Sequence, residues 1–224
     1  MKRLLVFVFA VTLLESCTES ITLIPDENFE QALIELGYDN VIDGKVLTEN
    51  ISSIDTLYIS GKKISDLSGL EAFTALTYLD CGDNKLTTLD LSKNTALRRL
   101  SCGKNRLTSL DISKNTALTL LNCSNNQLIS LDLSKNTALT LLGCSNNQLI
   151  NLDLSKNTAL IHLYCYKNQL TSLDISKNTA LIHLDCRSNQ LTSLDVSKNT
   201  ALRRLSCSRN NFDCDALKTK YNLK

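Results

Sequence analysis

Apolar residues recur along most of the chain at one fixed spacing, and cysteine marks each recurrence. Seven cysteines, from Cys81 to Cys207, follow one another at intervals of 21 residues. Around each of them the same order of leucines and polar residues returns, as it does over residues 118–138. Self-similarity at a period near twenty residues is typical of a solenoid, in which each coil buries its apolar side only against its neighbours. The pattern therefore predicts one elongated repeat body.

Spacing inside one repeat predicts a strand of a parallel sheet. Leu121 and Cys123 are two positions apart and should point inward, while the residues between them point outward. Asn126 follows where the chain leaves the strand, and its amide is expected to satisfy backbone groups of the turn. The second half of the repeat, residues 131–138, is expected to form a less regular extended segment on the opposite side. Its aspartates and lysines should offset each other in charge.

The repeated phrase L-x-x-L-x-C-x-x-N-x-L resembles the leucine-rich repeat, with cysteine at a position that this family usually fills with leucine. One further coil, residues 54–73, is similar to the internalin type of repeat. The resemblance covers residues 46–224. It implies an α/β repeat solenoid with a curved parallel β-sheet of about eight coils.

Helices are expected to cover both ends of the solenoid, because an open sheet edge invites further strands. Pro25 and Asp26 favour a helix start, and Gly37 favours its end. A second short helix is predicted after Asp213. Both caps resemble those of secreted leucine-rich repeat proteins of the Bacteroidetes type. The expected segments are a signal peptide (1–16), a tether (17–24), an N-terminal cap (25–53), the solenoid (54–211) and a C-terminal cap (212–224).

The N-terminus resembles a bacterial lipoprotein signal. Lys2 and Arg3 precede an apolar run over residues 4–14, which is too short for a membrane span of about 20 residues. The segment Leu14-Glu15-Ser16-Cys17 resembles a lipobox, so lipidation of Cys17 is expected. An ordinary secretory signal with an incidental cysteine is the alternative. Either interpretation predicts export, and the lipid would anchor the protein in the cell envelope, at the outer membrane or the cell surface.

Composition and charge limit the classes of partner that are expected. The 224 residues include 44 leucines, with 24 basic and 23 acidic residues and a net charge of +1. The sequence contains no strongly basic stripe for a phosphate backbone, so nucleic acid is not expected as a partner.

The cysteine column is expected to be a buried ladder of thiols. Equivalent residues on parallel strands lie about 4.8 Å apart with parallel side chains, whereas a disulfide needs Cβ atoms about 3.8 Å apart. Whether Cys207 and Cys214 cross-link the last coil to the C-terminal cap is left open. No C-x-x-C spacing occurs in the sequence, so a thiolate zinc site is not expected.

Outward strand positions differ between coils, whereas the opposite side is nearly invariant. Aromatic, histidine and charged residues gather in the later coils, and Leu120 and Leu141 form an apolar shelf beside them. Tyrosine and arginine dominate binding hot spots, since they combine contact area with directional polar groups. We therefore predict a partner-binding patch, called the sheet-face patch, formed by His162, Tyr164, Tyr166, His183, Asp185, Arg187 and Arg204.

Catalytic chemistry is not expected at this patch. In the segment from His162 to Cys165, and in its repeat 21 residues later, the histidine should point outward and the cysteine inward, so they cannot form a nucleophile pair. His162, His183 and Asp185 resemble a metal-ligand set, but copying of a repeat also explains two histidines in one column. No catalytic residue, metal or cofactor is assigned.

The leading hypothesis is a surface-anchored recognition or adhesion module that binds a protein partner, with a glycan as the less favoured ligand. The family resemblance implies protein–protein recognition, which in internalins includes host receptors. A structural spacer or accessory subunit of an envelope complex is the alternative. A metal-dependent hydrolase is a weaker one. Partner identity, membrane orientation and oligomeric state do not follow from the sequence.

Overall fold

The computed structural model describes residues 19–223. The predicted signal peptide and the predicted lipidation site Cys17 lie outside the described residues. Between residues 19 and 223, no helix is both long and apolar enough to cross a membrane.

The N-terminal cap contains two strands and two helices. They are β1 (Ile21–Leu23), α1 (Glu27–Glu35), β2 (Lys45–Leu47) and α2 (Thr48–Ser52). Strand β1 pairs antiparallel with β2, and Ile24 is fully buried. Residues 21–24 were expected to belong to the tether, but this pairing and burial make them part of the cap.

Two buried carboxylates hold the cap together. Asp26 accepts hydrogen bonds from the first turn of α1 and from Ser65 in the first coil. Burial raises the pKa of Asp26, but its hydrogen bonds, the strongest from Ser65, outweigh burial and hold this pKa below the ordinary value. Glu30, which is 1% exposed, accepts hydrogen bonds from three successive backbone N–H groups, two in the loop before β2 and one at its first residue, Lys45. Helix α1 is thereby fixed both to the solenoid and to its own loop.

Eight parallel strands stack in sequence order, one from each coil, so the predicted solenoid of about eight coils is confirmed. The sheet strands are β3 (Thr56–Tyr58), β4 (Tyr78–Asp80), β5 (Arg99–Ser101), β6 (Leu120–Asn122), β7 (Leu141–Gly143), β8 (His162–Tyr164), β9 (His183–Asp185) and β10 (Arg204–Ser206). Equivalent residues of successive repeats face each other in register, as Leu121 faces Leu142. A short 3₁₀ helix, Leu70–Ala72, lies in the first coil.

The core is a set of leucine and cysteine columns. Leu121 and Cys123 are fully buried, as are their equivalents in the neighbouring coils, because period-two alternation points both inward. Six cysteines of the ladder, from Cys81 to Cys186, are free and buried. Cys207 instead forms a disulfide with Cys214, the first residue of α3 (Cys214–Tyr221), and this bond attaches the C-terminal cap.

The predicted role of Asn126 is confirmed. Its Nδ2 donates to the carbonyls of Cys123 in its own coil and Cys102 in the previous coil, each at 3.1 Å. Its Oδ1 accepts from the N–H of Leu107 at 3.0 Å. Each such asparagine therefore joins two coils, which satisfies backbone groups that the strand leaves unpaired.

The opposite side of each coil forms no regular strand among residues 19–223: in the repeat of residues 131–138, turns occupy 134–135 and 137–138, and residues 131–133 belong to neither helix nor strand. Asn115 donates its backbone N–H to the carbonyl of Ile112, and Asp111 accepts from the N–H of Ser113. These short-range bonds replace any strand. The aspartate and lysine columns of this side make no ion pair among residues 19–223, so their charges do not offset each other by direct contact.

A second asparagine column, missed in the sequence, lies under these turns. Asn115 is fully buried, and its Nδ2 donates to the carbonyls of Leu91 and Asn94. Its Oδ1 has no hydrogen-bond partner within the described part of the chain, and the same holds for its five equivalents. The members of the column are Asn94, Asn115, Asn136, Asn157, Asn178 and Asn199.

Candidate functional site

Strands β8 and β9 position the centre of the sheet-face patch. In each strand the middle leucine is fully buried, which turns the flanking side chains to the outer face. His162 faces His183 across the two strands, and Tyr164 faces Asp185. Residues 42 positions apart at the ends of the patch thus come together within three adjacent coils, because each repeat advances the chain by one strand.

Both histidines and Tyr164 form an aromatic cluster. The Tyr164 and His183 rings meet edge to face with centroids 5.0 Å apart, and the Tyr164 hydroxyl lies 3.4 Å from His183 Nδ1. His162 stacks on Tyr164 at 6.5 Å and meets His183 edge to face at 6.3 Å. The Nδ1 atom of His162 is enclosed and finds no hydrogen-bond partner among residues 19–223.

Burial lowers the pKa of His183, and the neighbouring charges of His162 and Arg204 lower it further, against the opposing effect of Asp185. The imidazole of His183 is therefore neutral at pH 7. A neutral, half-buried ring with an adjacent phenol offers both apolar contact and one directional hydrogen bond.

Arg187 is held in one orientation by two contacts. Its Nε and Nη2 atoms donate to the two carboxylate oxygens of Asp185, at 2.9 and 2.6 Å. Its guanidinium carbon lies 5.7 Å from the centre of the Tyr166 ring. Asp185 is only 5% exposed, and its hydrogen bonds raise the pKa of Arg187. A paired, stacked guanidinium loses little rotamer entropy when a partner contacts it.

The remaining predicted residues border this centre. Arg204 lies beside His183 on β10 and is exposed. Leu120 and Leu141 lie side by side on β6 and β7, both half-buried, and so form the apolar shelf that the sequence predicts. The structure thus brings every residue of the sheet-face patch into three neighbouring coils.

Sequence reasoning missed a cavity at the edge of the patch. It has a volume of about 350 Å³ and is lined by Tyr166, Lys167, Arg187, Ser188, Ser208 and Arg209. Lys167, Ser188 and Arg209 stand at turn positions with left-handed backbone, φ between 53° and 58°, directly after the last outward position of each strand. The sequence signal lay one position after Tyr166, Arg187 and Ser208, but the repeat pattern assigns that position to the turn and not to the sheet face.

The geometry argues against metal and thiol chemistry at this place. Both carboxylate oxygens of Asp185 bind Arg187, which leaves no free carboxylate beside the histidines. Across residues 19–223, no group of three histidine, cysteine or acidic side chains is placed to hold a metal ion. Burial raises the pKa of the Cys186 thiol to about 12, the opposite of what a nucleophile needs.

Fold and repeats define an internalin-like leucine-rich repeat solenoid. The family model of leucine-rich repeats (two copies) matches residues 52–94. Internalin J of Listeria monocytogenes serotype 4b is 42% identical over 70 residues, which are 31% of this chain and 8% of that protein. The two sequence resemblances predicted above, to leucine-rich repeats and to internalins, are therefore confirmed.

Solved structures agree with this assignment. The functional domain of internalin J from Listeria monocytogenes, described as including a cysteine ladder, has a TM-score of 0.84 and 39% identity, over 91% of this chain and 46% of that one. The ectodomain of the plant receptor kinase GASSHO1/SCHENGEN3 from Arabidopsis thaliana, in complex with Casparian strip integrity factor 2, has a TM-score of 0.66 and 28% identity, over 73% of this chain and 22% of that one. The chain spans less than half the length of each of these proteins.

Proposed function

We propose that this protein is a recognition module of the cell envelope and that its sheet-face patch binds a protein partner. The observation that carries the proposal is the contrast between the two sides of the coils. The turn side repeats almost unchanged, while the three coils of β8, β9 and β10 present two histidines, two tyrosines and two arginines on the sheet side. Side chains that only support the fold can stay the same in every repeat, whereas side chains that contact a partner differ between repeats.

A protein partner is favoured over a glycan by the composition of the patch. Leu120 and Leu141 extend the aromatic cluster as an apolar shelf, and apolar contact beside tyrosine and arginine is typical of protein interfaces. Among the similar structures, the plant receptor ectodomain is in complex with Casparian strip integrity factor 2. That complex supports, by analogy of fold, a binding role for this protein.

Membrane attachment through a lipid on Cys17 belongs to the same proposal. The described chain begins two residues later, at Glu19, and enters the N-terminal cap at β1. A lipid at Cys17 therefore places the cap next to the membrane and the sheet-face patch several coils away from it. In the Cys17→Ala variant we expect the protein to leave the membrane fraction. Unchanged fractionation would refute the lipid anchor.

Cross-linking on intact cells tests the binding site. The variant is Tyr164→Ala with Tyr166→Ala, which removes both rings and keeps the Asp185–Arg187 ion pair, so that no buried carboxylate is left unpaired. Tyr58→Ala is the matched control, because Tyr58 is an exposed tyrosine of the same outward column on β3. We expect a defined cross-linked partner that is lost in the double variant and kept in the control.

Survival of the cross-link in the double variant would refute binding through the patch. It would favour the alternative of a structural spacer or accessory subunit, which contacts its neighbours through the caps or the turn side. The exposed aspartates of the turn side and their lysines would then be the next residues to replace.

A further inference from the structure

The geometry points to an anion-binding subsite in the cavity beside Tyr166, and we propose that it takes acidic side chains of an extended segment of the protein partner. This inference rests on the proposed function, because it names the chemistry of one part of the same surface. It adds Lys167 and Arg209 to the residues that contact the partner.

Charge is the first argument. Three cationic side chains, those of Lys167, Arg187 and Arg209, line one cavity of about 350 Å³. Only Arg187 is neutralised, by Asp185. Within the described part of the chain, Lys167 and Arg209 pair with no carboxylate, and both are exposed. The cavity therefore carries about two uncompensated positive charges, and its fixed guanidinium offers further donors to a second anion.

The turn position that holds Lys167 and Arg209 can be compared with the same position in an earlier coil. Lys104 occupies the position equivalent to Lys167, three coils earlier, and its Nζ atom lies 3.7 Å from Asp83 of the preceding coil. At that end of the solenoid a lysine of this column is paired within the protein. In the later coils a serine, Ser188, separates Lys167 from Arg209, and both cations face solvent.

The size of the cavity is compatible with side chains of a partner. Pockets for small molecules span about 300–1,000 Å³, so this cavity lies at the lower end of that range. Tyr166 and Arg187 form one wall, and the hydroxyls of Ser188 and Ser208 add neutral donors at the other. A site of this volume admits one or two acidic side chains together with water.

The occupant is an extended peptide because of what lies next to the cavity. The Leu141 shelf on β7 is three coils away from Arg209, which is roughly 14 Å across the strands at about 4.8 Å per coil. Arg209 also lies five positions further along its coil than the position equivalent to Leu141, so this distance is a minimum. An extended chain covers roughly 14 Å in about four residues at roughly 3.3 Å each. The surface thus fits a segment with an apolar residue followed, at least four positions later, by acidic residues. A sulfated glycan would satisfy the cations but not the leucine shelf.

Fluorescence anisotropy with two labelled peptides tests the inference. The probe is Leu-Ser-Gly-Ser-Glu-Glu and its match is Leu-Ser-Gly-Ser-Gln-Gln, both amidated at the C-terminus and titrated with the full chain at low salt. We expect the acidic peptide to bind about ten times more tightly than the amide peptide, and added salt to remove that preference. Equal affinity of the two peptides would overturn the proposal.

Variants assign the effect to the cavity. In Lys167→Ala with Arg209→Ala we expect the preference for the acidic peptide to disappear. Both side chains are exposed, so this variant should unfold at the same temperature as the wild type. Lys104→Ala is the matched control and should bind as the wild type does. A preference kept in the double variant, or lost in the control, would overturn the assignment.

Two further outcomes separate this inference from its alternatives and from the proposed function. A heparin-derived tetrasaccharide could bind through Lys167 and Arg209 while the acidic peptide does not bind. This result would identify a sulfated glycan as the ligand and overturn the proposal. A cross-linked cellular partner could be lost when Tyr164 and Tyr166 are replaced and kept when Lys167 and Arg209 are replaced. This result would leave the proposed function intact and refute the acidic subsite alone.

Discussion

Asp26 should contribute strongly to the stability of the N-terminal cap. Its Oδ1 accepts from the backbone N–H groups of Asn28 and Phe29, each at 3.0 Å, and so caps α1. Its Oδ2 accepts from the N–H and the hydroxyl of Ser65, at 2.8 and 2.7 Å, and from the N–H of Asp66 at 3.1 Å. One carboxylate thereby joins the cap helix to the first coil.

The expected cost of Asp26→Ala follows from these contacts. Loss of a helix N-cap costs about 1 kcal/mol. Hydrogen bonds to a charged acceptor contribute roughly 1.5–3 kcal/mol each when nothing replaces them, but water reaches part of this site and reduces the loss. We expect the variant to lose about 3 kcal/mol of unfolding free energy, measured by urea denaturation at pH 7. Asp111→Ala is the control, because Asp111 is an exposed aspartate that accepts from one backbone N–H.

The stabilisation by Asp26 should depend on pH in a defined direction. Because the pKa of Asp26 is lowered in the folded protein, its stabilisation is present above the ordinary pKa of about 3.9 and is lost as the pH falls through the folded value. The difference in unfolding free energy between wild type and Asp26→Asn should therefore shrink between pH 5 and pH 3. A difference that stays constant over this range, or an Asp26→Ala loss no larger than that of Asp111→Ala, would refute the reasoning.

Three further predictions concern the cysteines and the histidines. The six free ladder thiols should not react with a thiol reagent in the folded protein and should all react in denaturant, because burial raises the pKa of Cys81, for example, to about 12; rapid reaction without denaturant would contradict this. Cys214→Ser should lower the unfolding free energy by about 2 kcal/mol and increase hydrogen exchange in α3, since it opens the link to Cys207; unchanged exchange would show that packing alone holds the cap. His183 should titrate below 6.5 by NMR, and its midpoint should rise in His162→Ala, which removes a burying ring and a neighbouring charge; a fall would reverse the assigned cause.

The solenoid was predictable because its sequence repeats at one spacing and because inward and outward side chains alternate in the same way in every strand. Leu121, Cys123 and Asn126 each have one environment that suits them, and their equivalents copy it through the register of the sheet. The cap was less predictable. Ile21 and Leu23 are exposed although apolar, and the pairing of β1 depends on a partner strand more than 20 residues away. Three-residue strands without a repeat leave too little pattern to recognise.

The sheet-face patch was predictable as a set of columns but not as a site. Parity places Tyr164 and Asp185 on the outer face, yet it does not show that the Asp185 carboxylate is committed to Arg187. That contact, which removes a metal ligand, depends on side-chain conformation. Lys167 and Arg209 escaped notice for a related reason. Their importance comes from stacking two coils apart around one cavity, a relation that appears only in three dimensions.

The inter-coil bonds of Asn126 have a consequence for how this architecture can change length. Because each asparagine binds the carbonyl of a cysteine in the coil before it, every junction in the middle of the solenoid is chemically the same as the next. Deleting residues 118–138 would bring together two ends that already match an existing junction. The number of near-identical coils therefore sets the distance between the N-terminal cap and the later coils, in steps of about 4.8 Å. Unequal recombination of the repeats before β8 would change this distance in whole steps and would keep the contacts among the residues of the sheet-face patch.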